Sequence, residues 1–440
     1  MKALINIGWL YLDRILGLTV GIISNAIVAR YLGPEQYGTI AYLLALASFL
    51  LPFVTLGSDT IIYDCVARRN PKILVNAAFY LRVICAASLA LAAWLYLAVG
   101  DYSDEYTYLA MALIASVLIN GCDILKVYFD AGHRSKINSL AAFKAAFITL
   151  LAKITAVWLK LGLLYFGLAY LLQALLVWVF KYPKVAPMPF PKMRYLRWRL
   201  VRVLLSRGGY LAFSALSIIL YTAMDRVMLG QLLGDQAVGL YAAALHISIG
   251  WLFIPGAITL TLMKKVSQSK QSMEHHDTIK HLFSMVWGVA IAVGLMVYLL
   301  SDWIIAIIFG EQFAVSAQIL QVYVFGSIFA AIGAASYRVL VVHGLYKFCL
   351  AKTLIAAVMN LGLNLWLIPK YGVLGAAYAT IISEMTVSLW LNAWVSAIPV
   401  FRLQCRALLG LPKFAVQQGR LAWRIARSSQ DKSESQTKSQ

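Results

Sequence analysis

Asp13, Arg14, Arg82, Lys153, Asp225, Arg226, His246 and Glu384 are charged or titratable side chains set inside stretches that are otherwise apolar. Asn25, Asn360 and Asn364 add amides to the same stretches, and the last two share a helix face because they are four apart. A charge placed mid-bilayer costs about 2.5–3.5 kcal/mol on insertion scales, so such residues face a protein interior or a wet cavity. Two chemistries fit these types. Guanidinium and ammonium groups can hold an anion, and phosphate suits the arginine fork best. Asp225, His246 and Glu384 can take up and release a proton. Asp225 and Arg226 are adjacent and therefore point in different directions, which leaves Asp225 free to bond across helices while Arg226 faces a cavity. Arg14 has the same claim, with Asp13 as its local partner.

Other charges read more plainly. Arg82, Lys144 and Arg207 lie near the inner boundary, where long basic side chains reach water, and for Lys144 and Arg207 that reading stands level with a functional one. Asp123 and Lys126 are three apart at a helix end and read as a structural pair. His275, His276 and Glu274 fall in a polar connector and read as solvated.

The elements that must position these groups are membrane helices. Hydrophobic residues make up 62% of the 440 residues, and the mean hydropathy is +0.78. About 20 apolar residues cross a hydrocarbon core, and such runs are expected at 5–29, 37–57, 74–99, 106–127, 138–159, 162–181, 209–230, 236–256, 282–303, 313–335, 346–368 and 373–396. The first run continues without a cleavage site and reads as a spanning helix, not as a signal peptide. The division expected is an N-terminal six-helix bundle (1–181), a basic linker (182–208), a C-terminal six-helix bundle (209–396) and a basic, then polar tail (397–440).

Charge orients the chain. The net charge is +20, and with the N-terminus inside, the inner loops gather most of the Lys and Arg. Asp101, Asp104, Glu105, Asp235, Asp302 and Glu311 then fall outside. By the positive-inside rule both termini are cytoplasmic, and the basic charge belongs to the membrane rather than to nucleic acid. The tail segment RLAWRIAR is basic and amphipathic and suits an anionic leaflet.

A repeat links the halves. Segment 32–42, LGPEQYGTIAY, aligns with 232–243, LLGDQAVGLYAA, pairing Gly33 with Gly234 and Gly38 with Gly239; Gly167, Ala169 and Tyr170 align with Gly375, Ala377 and Tyr378. Repeated halves with a site between them are a common transporter plan. There is no nucleotide-binding loop, no HExxH and no GxSxG, and the five cysteines form no metal-ligand spacing. The sequence therefore calls for no cofactor, no metal and no catalytic residue.

Segment 360–384, NLGLNLWLIPKYGVLGAAYATIISE, resembles the hallmark of polysaccharide-type flippases, often called Wzx, of the multidrug/oligosaccharidyl-lipid/polysaccharide exporter superfamily. It carries Asn360, Asn364, Pro369, Gly372, Gly375, Ala376, Ala377, Ala379 and Thr380. Segments 28–42 and 225–244 are similar to the starts of that family's two halves. The resemblance implies an all-α polytopic membrane protein with about 12 transmembrane helices in two pseudo-symmetric, MATE-like six-helix bundles working by alternating access. It implies a flippase that moves undecaprenyl-diphosphate-linked oligosaccharide, for O antigen, capsule or a related polymer, across the bacterial inner membrane, with a polymerase and chain-length regulator as partners. It also implies that cations at Arg14, Arg82, Lys153 and Arg226 receive the headgroup. Three other readings stand beside it, of which a peptidoglycan-precursor flippase would be expected to carry two extra C-terminal helices, which this polar tail does not suit. A drug or organic-cation antiporter of the same superfamily would need an acidic cavity, whereas these residues lean basic. A membrane glycosyltransferase or polymerase would need a sizeable outer loop, and the outer loops here are short.

Overall fold

A bilayer offers no hydrogen-bond partner to a bare peptide group, so a chain this apolar must satisfy its backbone within helices. The computed structural model describes residues 2–68, 72–185, 191, 198–412 and 414. Among these there is no strand. In chain order the helices are α1 Lys2–Ser48, α2 Leu51–Thr55, α3 Ser58–Arg68, α4 Lys72–Val99, α5 Asp104–Cys122, α6 Ile124–Ala131, α7 Ser135–Trp158 and α8 Leu163–Lys181. Then follow α9 Trp198–Leu233, α10 Asp235–Gly250, α11 Phe253–Gln268, α12 His275–Ile308, α13 Val315–Val342, α14 Tyr346–Tyr371, α15 Val373–Ser388 and α16 Val400–Leu409. Eleven stretches among the described residues are long and apolar enough to cross a membrane.

The difference from twelve lies in α1. Its 47 residues would reach about 70 Å as one straight helix, more than twice a hydrocarbon core. The helix is broken at Gly33, whose φ of 75° and ψ of 174° are not helical, and Pro34 follows. Groups on both sides of the break meet the ends of other helices. Arg30 Nε donates to Ile308 O at the end of α12, Tyr31 OH donates to Leu161 O between α7 and α8, and Thr39 donates to Asp235 at the start of α10 at 2.6 Å. Gly33 therefore lies at an end of the helices, and the chain turns back there. The span expected at 5–29 is the first arm of α1, and that at 37–57 is its second arm together with α2.

The repeat is visible in the contacts. Gly33 and Gly234 both take positive φ, 75° and 86°, and each opens a helical arm. A Cβ on Gly38 would lie 1.8 Å from Asp235 O, and one on Gly239 would lie 1.9 Å from Pro34 O. Position 34 corresponds to 235 and 38 to 239, so the contact is reciprocal, as a two-fold relation requires. Gly167 and Gly375 also mark close approaches, but to different partners: Leu109 and the Leu367 carbonyl.

By packing, the chain forms two units. The first comprises 1–250, 300–323 and 353–380, and the second 251–299, 324–352 and 381–440. Within the first, Ile62, Val75, Leu81, Ile124, Phe129, Val201 and Leu204 make an apolar core. Within the second, Trp251, Phe283, Trp287, Ile332 and Leu403 make another. The linker expected at 182–208 begins as a short 3₁₀ turn, Tyr182–Val185, and ends inside α9, whose helix starts at Trp198 rather than 209. Residues 186–190 and 192–197 lie outside the described residues, as does the RLAWRIAR segment of the tail.

Gly38→Ala should cost about 1–3 kcal/mol, because the new methyl overlaps backbone that cannot retreat. Gly362→Ala, where a Cβ meets nothing, should be neutral or gain up to about 1 kcal/mol of helix stability. Thermal unfolding of the two purified variants checks the contrast.

Candidate functional site

The first unit holds two buried polar clusters and an arginine within electrostatic reach of members of both. The first cluster is built around Asp225 on α9, whose side chain is 4% exposed. Its Oδ2 accepts from Tyr241 OH on α10 at 2.7 Å and from Thr380 Oγ1 on α15 at 2.8 Å. Its Oδ1 accepts from Asn364 Nδ2 on α14 at 2.7 Å. Asn364 Nδ2 also donates to Asn360 Oδ1 at 3.0 Å. Four helices thus converge on one carboxylate. Three donors suit its ionised form, since an ionised carboxylate only accepts.

The second cluster surrounds Lys153 on α7, 2% exposed. Its Nζ donates to Ser24 Oγ on α1 at 3.0 Å and lies 4.1 Å from the Tyr170 ring centroid on α8, close enough for cation–π attraction. Tyr170 OH donates to Asn25 Oδ1 at 3.2 Å, and Asn25 Nδ2 lies 3.4 Å from His246 Nε2 on α10. Lys153, Ser24, Asn25, Tyr170, Thr149 and Gln173 line a cavity of about 190 Å³.

Arg226 is adjacent in sequence to Asp225. It is half-buried, and it lies within electrostatic reach of Asp225, Tyr241, Tyr323 and Tyr37 and of His246. Its Nε is shut off from solvent and makes no hydrogen bond within the protein. Asn364 Oδ1 and Asn360 Nδ2 are likewise buried without an internal partner. Leaving a buried donor unpaired costs about 1–3 kcal/mol, and more when the group is charged. The chemistry available is the reception of an anion by Arg226 and Lys153, and of a proton or a hard monovalent cation by the oxygens around Asp225. Among the described residues no group of three His, Cys, Asp or Glu could hold a metal ion.

The structure therefore brings together Asp225, Asn360 and Asn364, and separately Lys153, Asn25 and His246, with Arg226 in reach of both. It places others elsewhere. Arg82 does not face a cavity: it is 2% exposed and saturated by Ser58 Oγ, Gly121 O and the carboxylate of Asp59, the last at 2.6 Å. It is a structural ion pair. Glu384 belongs to the second unit, near Gly333 and Ser388. Asp13 and Arg14 lie on α1, but their side chains are outside the described residues.

Three further readings change. Asp123 caps α6 by accepting from the Lys126 backbone N–H, but its ion-pair partner is the buried Lys181. His275 is not solvated: it is 8% exposed, and its Nε2 lies 2.9 Å from His343 Nε2. In the second unit, Lys352 is 4% exposed and donates to Asn392 Oδ1 at 2.6 Å, a buried cation that its place in an apolar run could have flagged. The hydroxyl partners of Tyr241, Tyr170, Thr380 and Ser24 also escape a sequence reading, because hydroxyls in apolar helices are common and usually bond their own backbone.

Comparison with known proteins agrees with this architecture. The chain is 24% identical over 391 residues, 85% of its length and 79% of the relative's, to a protein from Haloferax volcanii named as a probable low-salt glycan biosynthesis flippase, Agl15. Among solved structures it is similar to the lipid II flippase MurJ in an inward closed conformation, with TM-score 0.72 and 15% identity over 94% of this chain and 93% of that one. It is also similar to an inward-facing multidrug resistance MATE family transporter, with TM-score 0.67 and 13% identity over 88% and 95% of the two chains. These two likenesses concern the fold, an all-α polytopic membrane protein. The family model described as polysaccharide biosynthesis protein matches residues 3–250, more than half of the chain, and the chain belongs to that family.

Proposed function

We propose that the protein is a flippase for a lipid-linked oligosaccharide. The observation that carries this reading is Arg226, a guanidinium whose Nε is buried without an internal partner, set in reach of a second cationic cluster at Lys153. A diphosphate headgroup would supply the missing acceptors, and charge-assisted bonds to phosphate are about twice as strong as neutral ones. The name of the Haloferax relative, a glycan biosynthesis flippase, supports the same reading.

In full, the cargo is an undecaprenyl-diphosphate-linked oligosaccharide for O antigen, capsule or a related polymer. The membrane is the bacterial inner membrane, with both termini cytoplasmic by the positive-inside rule. Residues 1–181 and 209–396 act as two six-helix bundles that rock around a shared site, as repeated transporter halves do. Arg226 and Lys153 receive the headgroup. The Asp225 cluster, with Asn360, Asn364 and Thr380, couples movement to a proton or a hard cation, and His246 and Asn25 are further polar contributors, whereas Glu384, in the second unit, leaves the site. Arg14 with Asp13 stays in the proposed site on sequence grounds, and Arg82 leaves it. The released lipid passes to a polymerase and its chain-length regulator. An organic-cation antiporter would present carboxylates where this chain presents Arg226 and Lys153.

Two outcomes test the reading in proteoliposomes that report leaflet-to-leaflet movement of a lipid-diphosphate glycan. Arg226→Ala should slow translocation by about tenfold to a hundredfold, the loss expected for one or two charge-assisted bonds, while insertion and thermal stability stay near wild type. Wild-type translocation by Arg226→Ala would remove that residue from the site. Asp225→Asn should abolish dependence on an imposed proton or sodium gradient but leave binding of the lipid diphosphate intact. A gradient dependence that survives the substitution would assign coupling elsewhere.

A further inference from the structure

The first unit carries a second polar cavity, of about 650 Å³, which the headgroup site does not use. It lies at the end of the helices where α1 turns at Gly33, and Gln36, Thr39, Glu105, Tyr106, Lys160 and Asp235 face it. Its size falls within the range of small-molecule sites, and it is several times larger than the cavity at Lys153.

Three observations bear on what it would take. The first is its hydrogen-bonding inventory. The side chains of Glu105 and Asp235 accept, Lys160 donates, and Gln36 does both. Such a mixture matches vicinal hydroxyls, each of which donates once and accepts twice. The second is an aromatic face. Tyr106 and Tyr31 line the cavity, and the Tyr106 ring is held by stacking on Tyr102, outside the lining, at 5.3 Å with 19° between their planes. A tyrosine presents an apolar body and a polar tip, which fits the C–H face and hydroxyl rim of a sugar ring. The third is charge. Two carboxylates against one ammonium make this cavity lean acidic, opposite in sign to the Arg226 and Lys153 site. A diphosphate is repelled here and an uncharged or amino sugar is not.

The backbone around the cavity is held in place. Lys160 has φ +54°, the left-handed conformation that closes the C-terminus of α7, where the Leu161 N–H donates to Ala156 O at 2.9 Å. The adjacent Leu161 carbonyl is tied to Tyr31 OH at 3.1 Å, and Asp235 is tied to Thr39 at 2.6 Å. Lys160 follows Lys153 by seven positions, and Tyr31 follows Asn25 by six. At 1.5 Å rise per helical residue the step on α1 is about 9 Å, and Lys160 lies just past the C-terminus of α7, so the second cavity lies beyond the Lys153 cavity toward the end of α1 and α7.

We infer that this cavity is a subsite for the glycan portion of the lipid, receiving sugar hydroxyls beyond the diphosphate held at Arg226 and Lys153; the inference rests on the flippase reading. It predicts a binding preference that the cationic site alone cannot produce.

The test uses the full chain in nanodiscs and two probes: polyprenyl diphosphate without sugar, and lipid-linked oligosaccharide extracted from the cells that make the protein. Native mass spectrometry reads both affinities for the wild type, Glu105→Gln and Tyr106→Leu, with thermal unfolding as the fold check. The wild type should bind the glycosylated lipid about tenfold or more tightly than the bare one, as one or two extra hydrogen bonds imply. Both variants should keep the wild-type Tm and lose that preference through weaker binding of the glycosylated lipid. A wild type without preference, or folded variants that retain it, overturns the subsite while leaving the flippase reading intact. A wild type that binds neither lipid overturns the flippase reading and the subsite with it.

Discussion

A cation held away from water needs either a fixed internal partner or a ligand, and this requirement sorts the buried charges of the chain. Arg82 has Asp59, Ser58 and Gly121. Lys181 has Asp123, and Lys352 has Asn392. Lys153 has a serine hydroxyl and a tyrosine face, partners that hold an ammonium without neutralising it. Arg226 has no hydrogen bond at Nε. Its sequence neighbour Asp225 does not supply one, because adjacent helical residues do not face each other and three other donors already occupy that carboxylate. The same convergence of α9, α10, α14 and α15 that satisfies Asp225 thus leaves Arg226 available.

In the proposed flippase, that arrangement would link coupling to cargo. A change in the occupancy of the Asp225 cluster alters the bonds among four helices, and Arg226 is one residue away on the same helix. The His246, Asn25 and Tyr170 series then leads toward Lys153. An anion bridging these cations would offset their desolvation, and its departure would restore the cost. Differential binding of this kind is what a two-state transporter needs, because a ligand shifts an equilibrium only by its difference in affinity for the two states.

Much of the fold could be read from the chain because the bilayer imposes a length on every apolar run. Gly33 and Gly234 could be paired by sequence, and both prove to hold positive φ at corresponding turns. Gly38 and Gly239 could be paired too, and they meet each other. The site was legible only in part. Asp225, Asn360 and Asn364 stood out as polar groups in apolar helices and do converge. Arg82 stood out in the same way and for the same reason, yet its role is decided by Asp59, 23 residues earlier, which hydropathy cannot reveal. Local spacing misassigned the partner of Asp123, because Lys181 comes from another helix. Thr380 and Tyr170 stood out only within the hallmark and the repeat, and Tyr241 not at all; the role of their hydroxyls lies in what tertiary packing sets beside them.

The most direct measurement is a structure of the protein bound to a polyprenyl diphosphate. Phosphate oxygens are expected within hydrogen-bonding distance of Arg226. A diphosphate seated elsewhere, with the Arg226 Nε still unpaired and buried, would contradict it.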